Sequence, residues 1–509
     1  MTTHVPTLKE VQAIAREGRG NLVPIYREVL ADLETPVSAF LKVKRGDYSF
    51  LLESVEGGER PARYSFIGTE PYRVLRTSST PLPEVAAASD ADDPLDEIKR
   101  ELDRFHLVPN PDLPPFHGGA VGYLSYEAVR HFERLPVAAR NPLELPEALI
   151  QFVDTVLVFD HFKHVIKVVS HVRLDGDGDG DDDGDVETAY RTAQERIDEI
   201  VDRLASGTPP LPVDAPATAD ASSAVESNIE RDAYTADVRR IIDYIVAGDI
   251  IQCVYSQRFS RRTFVHPFNV YRTLRTVNPS PYTYYLEMGD HQIVGTSPEL
   301  LVVVEGTTVE TNPIAGTRRR GVTVEEDEQL EQDLRTDEKE LAEHIMLLDL
   351  GRNDIGRVSE PGSVKVTQQM DVERFSHVMH LVSQVEGKLR PGADCFDAIR
   401  ATFPAGTVSG APKIRAMEII AELEPDQRGP YAGALGYFGF GGNMETAITI
   451  RTLVMQDGLA SVQAGGGIVY DSKPDFEFEE TVNKATALLA ALDIAEARSR
   501  ERPRGSLGY

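Results

Sequence analysis

From about residue 20 to residue 172, apolar side chains alternate with polar ones or gather in short unbroken runs. The segments VSAFLKVK, SFLLES, ARYSFIG, GGAVGYLSY and DTVLVFDHFKHVIKVVSHV predict strands and turns. The last contains two β-rich runs flanking residues 160–163, the pattern of a hairpin. Residues 186–204 shift to a helical period. Then comes SGTPPLPVDAPATADASSAVES, residues 206–227, whose Pro, Ala, Ser and Asp predict a flexible linker. Beyond it Tyr234, Val238, Ile241, Ile242 and Ile245 mark an amphipathic helix closed by Gly248, and strands and helices alternate to about Ala495. The pattern divides the chain into an N-terminal domain (1–205), a linker (206–227), a second domain (228–495) and a polar tail (496–509). Periodicity alone supports a mixed α/β chain.

One stretch of the second domain carries an unusual polar stripe. In DEKELAEHIMLLDLGRNDIGR, residues 337–357, Leu341, Ile345 and Leu348 recur at helical spacing and predict a core-facing side. Glu340, Glu343, His344 and Leu347 form a neighbouring stripe, and Gly351 reads as the helix stop. In DFEFEETVNK, residues 475–484, Glu477, Glu480 and Lys484 would share one helix face. Two helices thus each offer paired acids, which suits Mg²⁺, a cation that takes one or two carboxylates plus water and substrate oxygens. A solvated acidic face is the ordinary alternative, because the chain has 82 Asp and Glu against 53 Lys and Arg. A di-iron bundle is excluded: Glu340 and His344 are four apart rather than three, and the second helix has no His.

The net charge of −29 argues against binding a nucleic-acid backbone. That acidic balance suggests a surface suited to a salt-rich cytoplasm. Cys253 and Cys395 build neither a disulfide framework nor a Cys-based zinc site, and no run of apolar residues is long enough to span a membrane. These features predict a soluble, cytoplasmic protein. The acidic run 175–185 begins like an EF-hand loop, but its twelfth position is Val186 and Asp182 takes the usual apolar place, so it reads as an acidic loop.

Other candidates are weaker singly. GFGGN reads as a hairpin turn with no phosphate-loop lysine. On the strand after it Ala447, Thr449 and Arg451 would share one side, with Arg451 either exposed or facing an anion. Gly465, Gly466 and Gly467 either let backbone N–H groups approach a carboxylate or mark a bulge. His380 lies beside the strand-like LVSQV.

Taken together, IAGTRRRG, DEKELAEH, LDLGRNDIGR, SHVMHLVS, FPAGTVSGAPKIRA, AGGGIV and EFEETVNKA resemble the chorismate-utilising enzymes, and within them the anthranilate synthase component I family. The resemblance is dense from about residue 230 to residue 495 and reaches the N-terminal half through LLES and RYSFIG. It implies an α/β fold of the α+β type, with large, mostly antiparallel sheets in a two-layered core and helices outside. It implies that Glu343 and Glu480 hold Mg²⁺, with Glu340 and Glu477 behind them. Glu299 would be the general acid for the departing hydroxyl of chorismate, and His380 would assist the loss of pyruvate. Tyr431, Arg451, Gly465, Gly466, Gly467 and Lys484 would hold carboxylates, and Gly316, Thr317 and Thr407 would contact substrate.

Two positions separate sister reactions. Relatives that add water carry a Lys where this chain has Gln252, and those making 4-amino-4-deoxychorismate commonly carry PIKGT where this chain has PIAGT, with Ala315. Both differences point to ammonia adding at C2 and then to anthranilate. The ammonia would come from a separate glutaminase subunit, in a hetero-oligomer such as a heterotetramer. The motifs LLES and NPSPY imply a tryptophan feedback site formed by Glu53, Ser54, Asn278, Pro281 and Tyr282, with Thr283 departing from the usual Met.

Overall fold

The computed structural model describes residues 4–54, 63–77, 93–136, 138, 140–174, 186–215, 224–374 and 378–501. Residues 175–185 and 216–223, which contain the acidic run and part of the predicted linker, lie outside the described residues. Among the described residues, two large sheets account for the named strands, and every ladder between them is antiparallel. One sheet has twelve strands and runs from Leu22–Leu30 at one edge to Gly410–Ala411 at the other; the second has ten, from Ile314–Arg319 to Arg73–Arg76.

Strand alternation explains why the sheets stack. In Tyr48–Glu53 and Tyr282–Met288, Phe50, Tyr284 and Leu286 point toward the other sheet, where they meet Val121, Tyr123, Leu435 and Tyr437. Leu51 and Tyr285 point the opposite way and pack beneath helices Pro36–Val43, Val186–Ala205, Pro267–Val277 and Pro474–Glu501. A further cluster seals the second sheet under Pro94–Leu102, Cys395–Thr402 and Lys413–Leu423. The result is a two-layered sheet core with helices outside. At roughly 1.5–3 kcal/mol for each large apolar side chain buried, these three clusters supply the main stabilisation.

Both sheets draw strands from either side of the predicted linker. Glu53 is registered with Thr283 in the first sheet, and Gly122 with Gly436 in the second. The described linker residues are pinned as well: the Asp214 carboxylate accepts from His266 N (2.7 Å) and Asn269 Nδ2 (2.8 Å). No helix among the described residues is long and apolar enough to cross a membrane.

Four local expectations change. The segment VSAFLKVK is not a strand but most of helix Pro36–Val43, because Thr35 caps it and Pro36 opens its first turn. The acidic helix does not stop at Gly351; it runs as Glu338–Gly356. Gly351 is instead a close approach, since a Cβ there would stand 3.1 Å from Pro313 Cγ. The buried side of that helix is His344, Leu347, Leu348 and Ile355, and Ile345 is 49% exposed. Finally, the last helix extends through the predicted start of the tail, to Glu501.

Candidate active site

The acidic helix is held in register by its buried His344, whose Nε2 lies 2.6 Å from Ser383 Oγ on strand Val378–Lys388. The Asp337 carboxylate caps its first turn, accepting from Lys339 N and Glu340 N. With His344 and Leu347 turned to the sheet, Glu340 and Glu343 are carried onto the rim of a cavity of about 550 Å³. Helix Pro474–Glu501 lies across strand Leu459–Ile468 and brings Glu477, Glu480 and Lys484 to the same cavity.

Every residue given a catalytic, metal or substrate role by the sequence lines this cavity except Gly466, and the remaining wall includes Lys339, Leu347, Ile450 and Gln463. The three glycines of Leu459–Ile468 matter for room. A Cβ on Gly465 would stand 2.8 Å from the Tyr431 hydroxyl, one on Gly466 3.2 Å from Glu477 Oε2, and one on Gly467 2.4 Å from Gln252 Nε2. The strand therefore passes close beneath groups on three other segments.

At one end of the cavity Thr407, in the short 3-10 turn Gly406–Val408, donates to Glu299 Oε2 at 2.9 Å. Burial pushes the Glu299 carboxyl above its ordinary range, against the opposing pull of that hydrogen bond and of Arg451 and Lys484. Arg451 is not on a strand. Strand Met444–Ile448 has ended, and Arg451 sits at a corner with φ of 49°, a left-handed conformation that is uncommon outside glycine. That corner turns its side chain into the cavity.

His380 is buried, with Nδ1 3.1 Å from Gly316 O and 3.0 Å from Thr317 Oγ1. Burial lowers it to about 4, so the ring is neutral at pH 7. Donation from Nδ1 to the Gly316 carbonyl sets the tautomer whose Nε2 carries the lone pair.

The four carboxylates form two pairs on two helices. Burial first, then the neighbouring Glu340 and Glu480, raises Glu343; burial and Glu480 raise Glu477, against a hydrogen bond from Ser472. Lys484 Nζ offsets part of this charge, 2.7 Å from Glu480 Oε1, and donates to Gly465 O at 2.9 Å. Arg318 lies 3.1 Å from Glu340 on the outer side. Among the described residues, no three His, Cys, Asp or Glu side chains converge into an all-protein metal cage. Crowded oxygen donors of one sign, without nitrogen or sulfur ligands, fit a hard divalent cation that keeps water and substrate oxygens, which is the habit of Mg²⁺. Gln252 is buried beside this group; its Nε2 donates to Glu343 Oε1 at 3.3 Å, and its Oε1 has no partner.

The residues predicted for an inhibitor are brought together only in part. Glu53, Ser54, Tyr282 and Thr283 line a small pocket of about 50 Å³ between the sheets, whereas Asn278 and Pro281 do not line it. Glu53 is buried and accepts from Tyr271 and from Arg275 Nε (2.7 Å). Asn278 Nδ2 donates to Thr296 Oγ1 at 3.0 Å. The pocket has room for a few water molecules but not for an indole.

Sequence reasoning missed the buried Arg428 and Glu424, which stand directly behind the cavity wall. The signal was the placement of charged residues in ELEPDQRGPY, just before Tyr431.

A family model described as chorismate binding enzyme matches residues 48–490. Anthranilate synthase component 1 of Acetivibrio thermocellus is 48% identical over 504 residues, covering 96% of this chain and 99% of the relative. The protein of the same description from Aquifex aeolicus is 46% identical, covering 97% and 99%. The crystal structure of anthranilate synthase component I from Streptococcus pneumoniae superposes with a TM-score of 0.71 at 38% identity, covering 90% of this chain and 98% of that one.

Proposed function

The chain belongs to the chorismate-binding enzyme family, and from that premise we propose that it converts chorismate and ammonia to anthranilate, pyruvate and water. The observation that carries this reading is the meeting, in one cavity, of a carboxyl raised by burial, a neutral histidine and an amide with an unpartnered oxygen.

Hydroxide is a poor leaving group, so the C4 hydroxyl of chorismate must be protonated as it departs. Glu299, whose carboxyl is raised by burial, supplies that proton, and the hydroxyl leaves as water. Ammonia forms the bond at C2 and loses one proton. Gln252 cannot deprotonate water, but its free Oε1 accepts an N–H and orients ammonia, while Ala315 offers no amine to compete for the ring. In the second step the neutral Nε2 of His380 takes the C2 proton, the C3–O bond breaks as the ring becomes aromatic, and the enolate of pyruvate departs, its proton returned from the His380 imidazolium to give pyruvate. General acid and base groups of this kind typically contribute ~10²–10⁴-fold each. Arg451, Lys484 and Tyr431 face the substrate carboxylates. Glu343 and Glu480, backed by Glu340 and Glu477, would hold Mg²⁺, which when bound neutralises the ring carboxylate of the substrate.

The ammonia source is a glutaminase subunit, consistent with the component 1 naming of the relatives. Tryptophan is the feedback inhibitor in this reading, and its entry at Glu53 and Ser54 requires the small pocket between the sheets to widen.

The test is direct. Purified chain with an ammonium salt, Mg²⁺ and chorismate should release fluorescent anthranilate together with pyruvate; 4-amino-4-deoxychorismate as the product, or no product, would overturn the assignment. Glu343→Gln should abolish Mg²⁺-dependent turnover and the thermal stabilisation that Mg²⁺ gives with substrate present. Turnover retained in that variant removes Glu343 from the metal site.

A further inference from the structure

We propose that Arg428 is the positioning residue of this active site, a buried guanidinium that sets Thr407, the strand of Gln252 and Tyr431 relative to one another. The inference rests on the assignment of Glu299 as the acid.

The geometry is specific. Arg428 donates from one terminal nitrogen to Val408 O at 2.7 Å and from the other to Val254 O at 2.8 Å. Val408 follows Thr407 in the short turn, and Val254 lies two residues after Gln252 on strand Gln252–Arg262; both line the cavity. The ladder joining that strand to the turn region covers Gln252 with Ala411 and Cys253 with Gly410, so it ends before Thr407 is reached. One further backbone bond, Val254 N to Ser409 O at 2.9 Å, follows the ladder, and beyond it the guanidinium joins the two segments through Val254 O and Val408 O.

Arg428 is itself fixed on its other side. Its Nε and a terminal nitrogen donate to both oxygens of Glu424 (2.8 and 2.6 Å), and Glu424 Oε1 also accepts from Ser256 N and Oγ. Its backbone N–H and that of Gly429 donate to the two oxygens of Glu127. The guanidinium carbon stands 4.7 Å from the centre of the Tyr126 ring and 5.6 Å from that of Tyr431. A planar fork is what the site uses. Lysine retains the charge but cannot span two carbonyls and a carboxylate at once.

The readout follows from the bond Thr407 makes. Loosening the turn weakens its donation to Glu299, which favours the protonated acid and carries the alkaline limb of the rate profile to higher pH. The charged groups Arg451 and Lys484, and the Tyr431 hydroxyl, also face Glu299, and none of them is itself substituted in the test.

Arg428→Lys is compared with the unmodified enzyme for folding by circular dichroism and melting, for kcat and KM, and for its pH profile. The expected result is a folded protein with kcat down ~10–10²-fold, KM for chorismate changed far less, and the alkaline limb moved upward. A folded variant with unchanged kcat, or with lowered kcat and an unmoved limb, overturns the proposal. Should Arg428→Lys fail to fold, Glu424→Gln is judged by the same criteria, since it slackens the fork without removing the guanidinium. Glu299→Gln is measured alongside. Wild-type turnover there would refute the acid assignment itself, whereas an inactive Glu299→Gln beside an unaffected Arg428→Lys would refute the positioning role alone.

Discussion

Thr407→Val isolates one hydrogen bond at nearly constant shape. The hydroxyl lost is the one that donates to Glu299 Oε2 at 2.9 Å. A hydrogen bond to an ionised partner contributes about 1.5–3 kcal/mol, and it stabilises the carboxylate rather than the acid. Glu299 meets the cavity with part of its surface, which places the effect at the lower end of that range. At 1.36 kcal/mol for each pKa unit, loss of the bond raises the Glu299 carboxyl by about one unit. The sign is fixed by the role of the group. The protonated form is active, so activity is present below this pKa and lost as pH rises through it. Thr407→Val should therefore shift the alkaline limb of kcat upward by about one pH unit, while kcat on the plateau falls because a stronger carboxylate base is a weaker acid. The assay is continuous anthranilate fluorescence at saturating chorismate, Mg²⁺ and ammonia across the pH range. A limb that stays in place, or moves down, would show that Glu299 is not the group being titrated.

Three other outcomes are expected. His380→Gln keeps a polar side chain without a base and should release an aminated, non-aromatic intermediate detectable by chromatography; in the unmodified enzyme this base is neutral above about 4, so its own protonation should cost activity only as pH drops through that value. Gly467→Ala places a methyl 2.4 Å from Gln252 Nε2 and should raise KM for ammonia several-fold while sparing KM for chorismate; an equal rise in both would contradict the placement of ammonia at Gln252. With a net charge of −29, the melting temperature should climb in molar KCl as self-repulsion is screened, and a flat response would remove the salt-rich reading of the surface.

The parts of the molecule legible in the sequence were those whose constraint is local. The hairpin of Thr155–Asp160 and Val165–Arg173, and the helix ending at Gly248, follow from alternation, periodicity and a left-handed glycine at φ 86°. The ordered motifs led to the residues around the cavity because six of the seven carry lining residues there, LDLGRNDIGR being the exception. What the sequence hid depends on distant neighbours. Gly351 read as a stop because its partner, Pro313, lies on another segment; Ile345 read as core because helical spacing does not say which of two adjacent faces meets the sheet. Arg451 read as a strand residue because nothing in ETAITIRT announces a corner at φ 49°. Arg428 has its acceptors at Val254, Val408 and Glu424, of which only the last is nearby in the chain.

The interleaving of the two halves within both sheets carries a consequence for biosynthesis. When residues 22–173 have left the ribosome, the strands Tyr48–Glu53 and Gly119–Leu124 still lack the neighbours Tyr282–Met288 and Ala434–Gly439 that will cover their edges. At roughly 5–20 residues per second, more than ten seconds pass before the second of those partners is made. During that interval the nascent chain presents two open strand edges, the surfaces most prone to join the wrong chain. Like-charge repulsion opposes such joining, and the negative charge builds mainly beyond residue 173, through the acidic run 175–185 and the segments after it, so the acidic residues that burden the folded state with self-repulsion favour solubility while the edges wait.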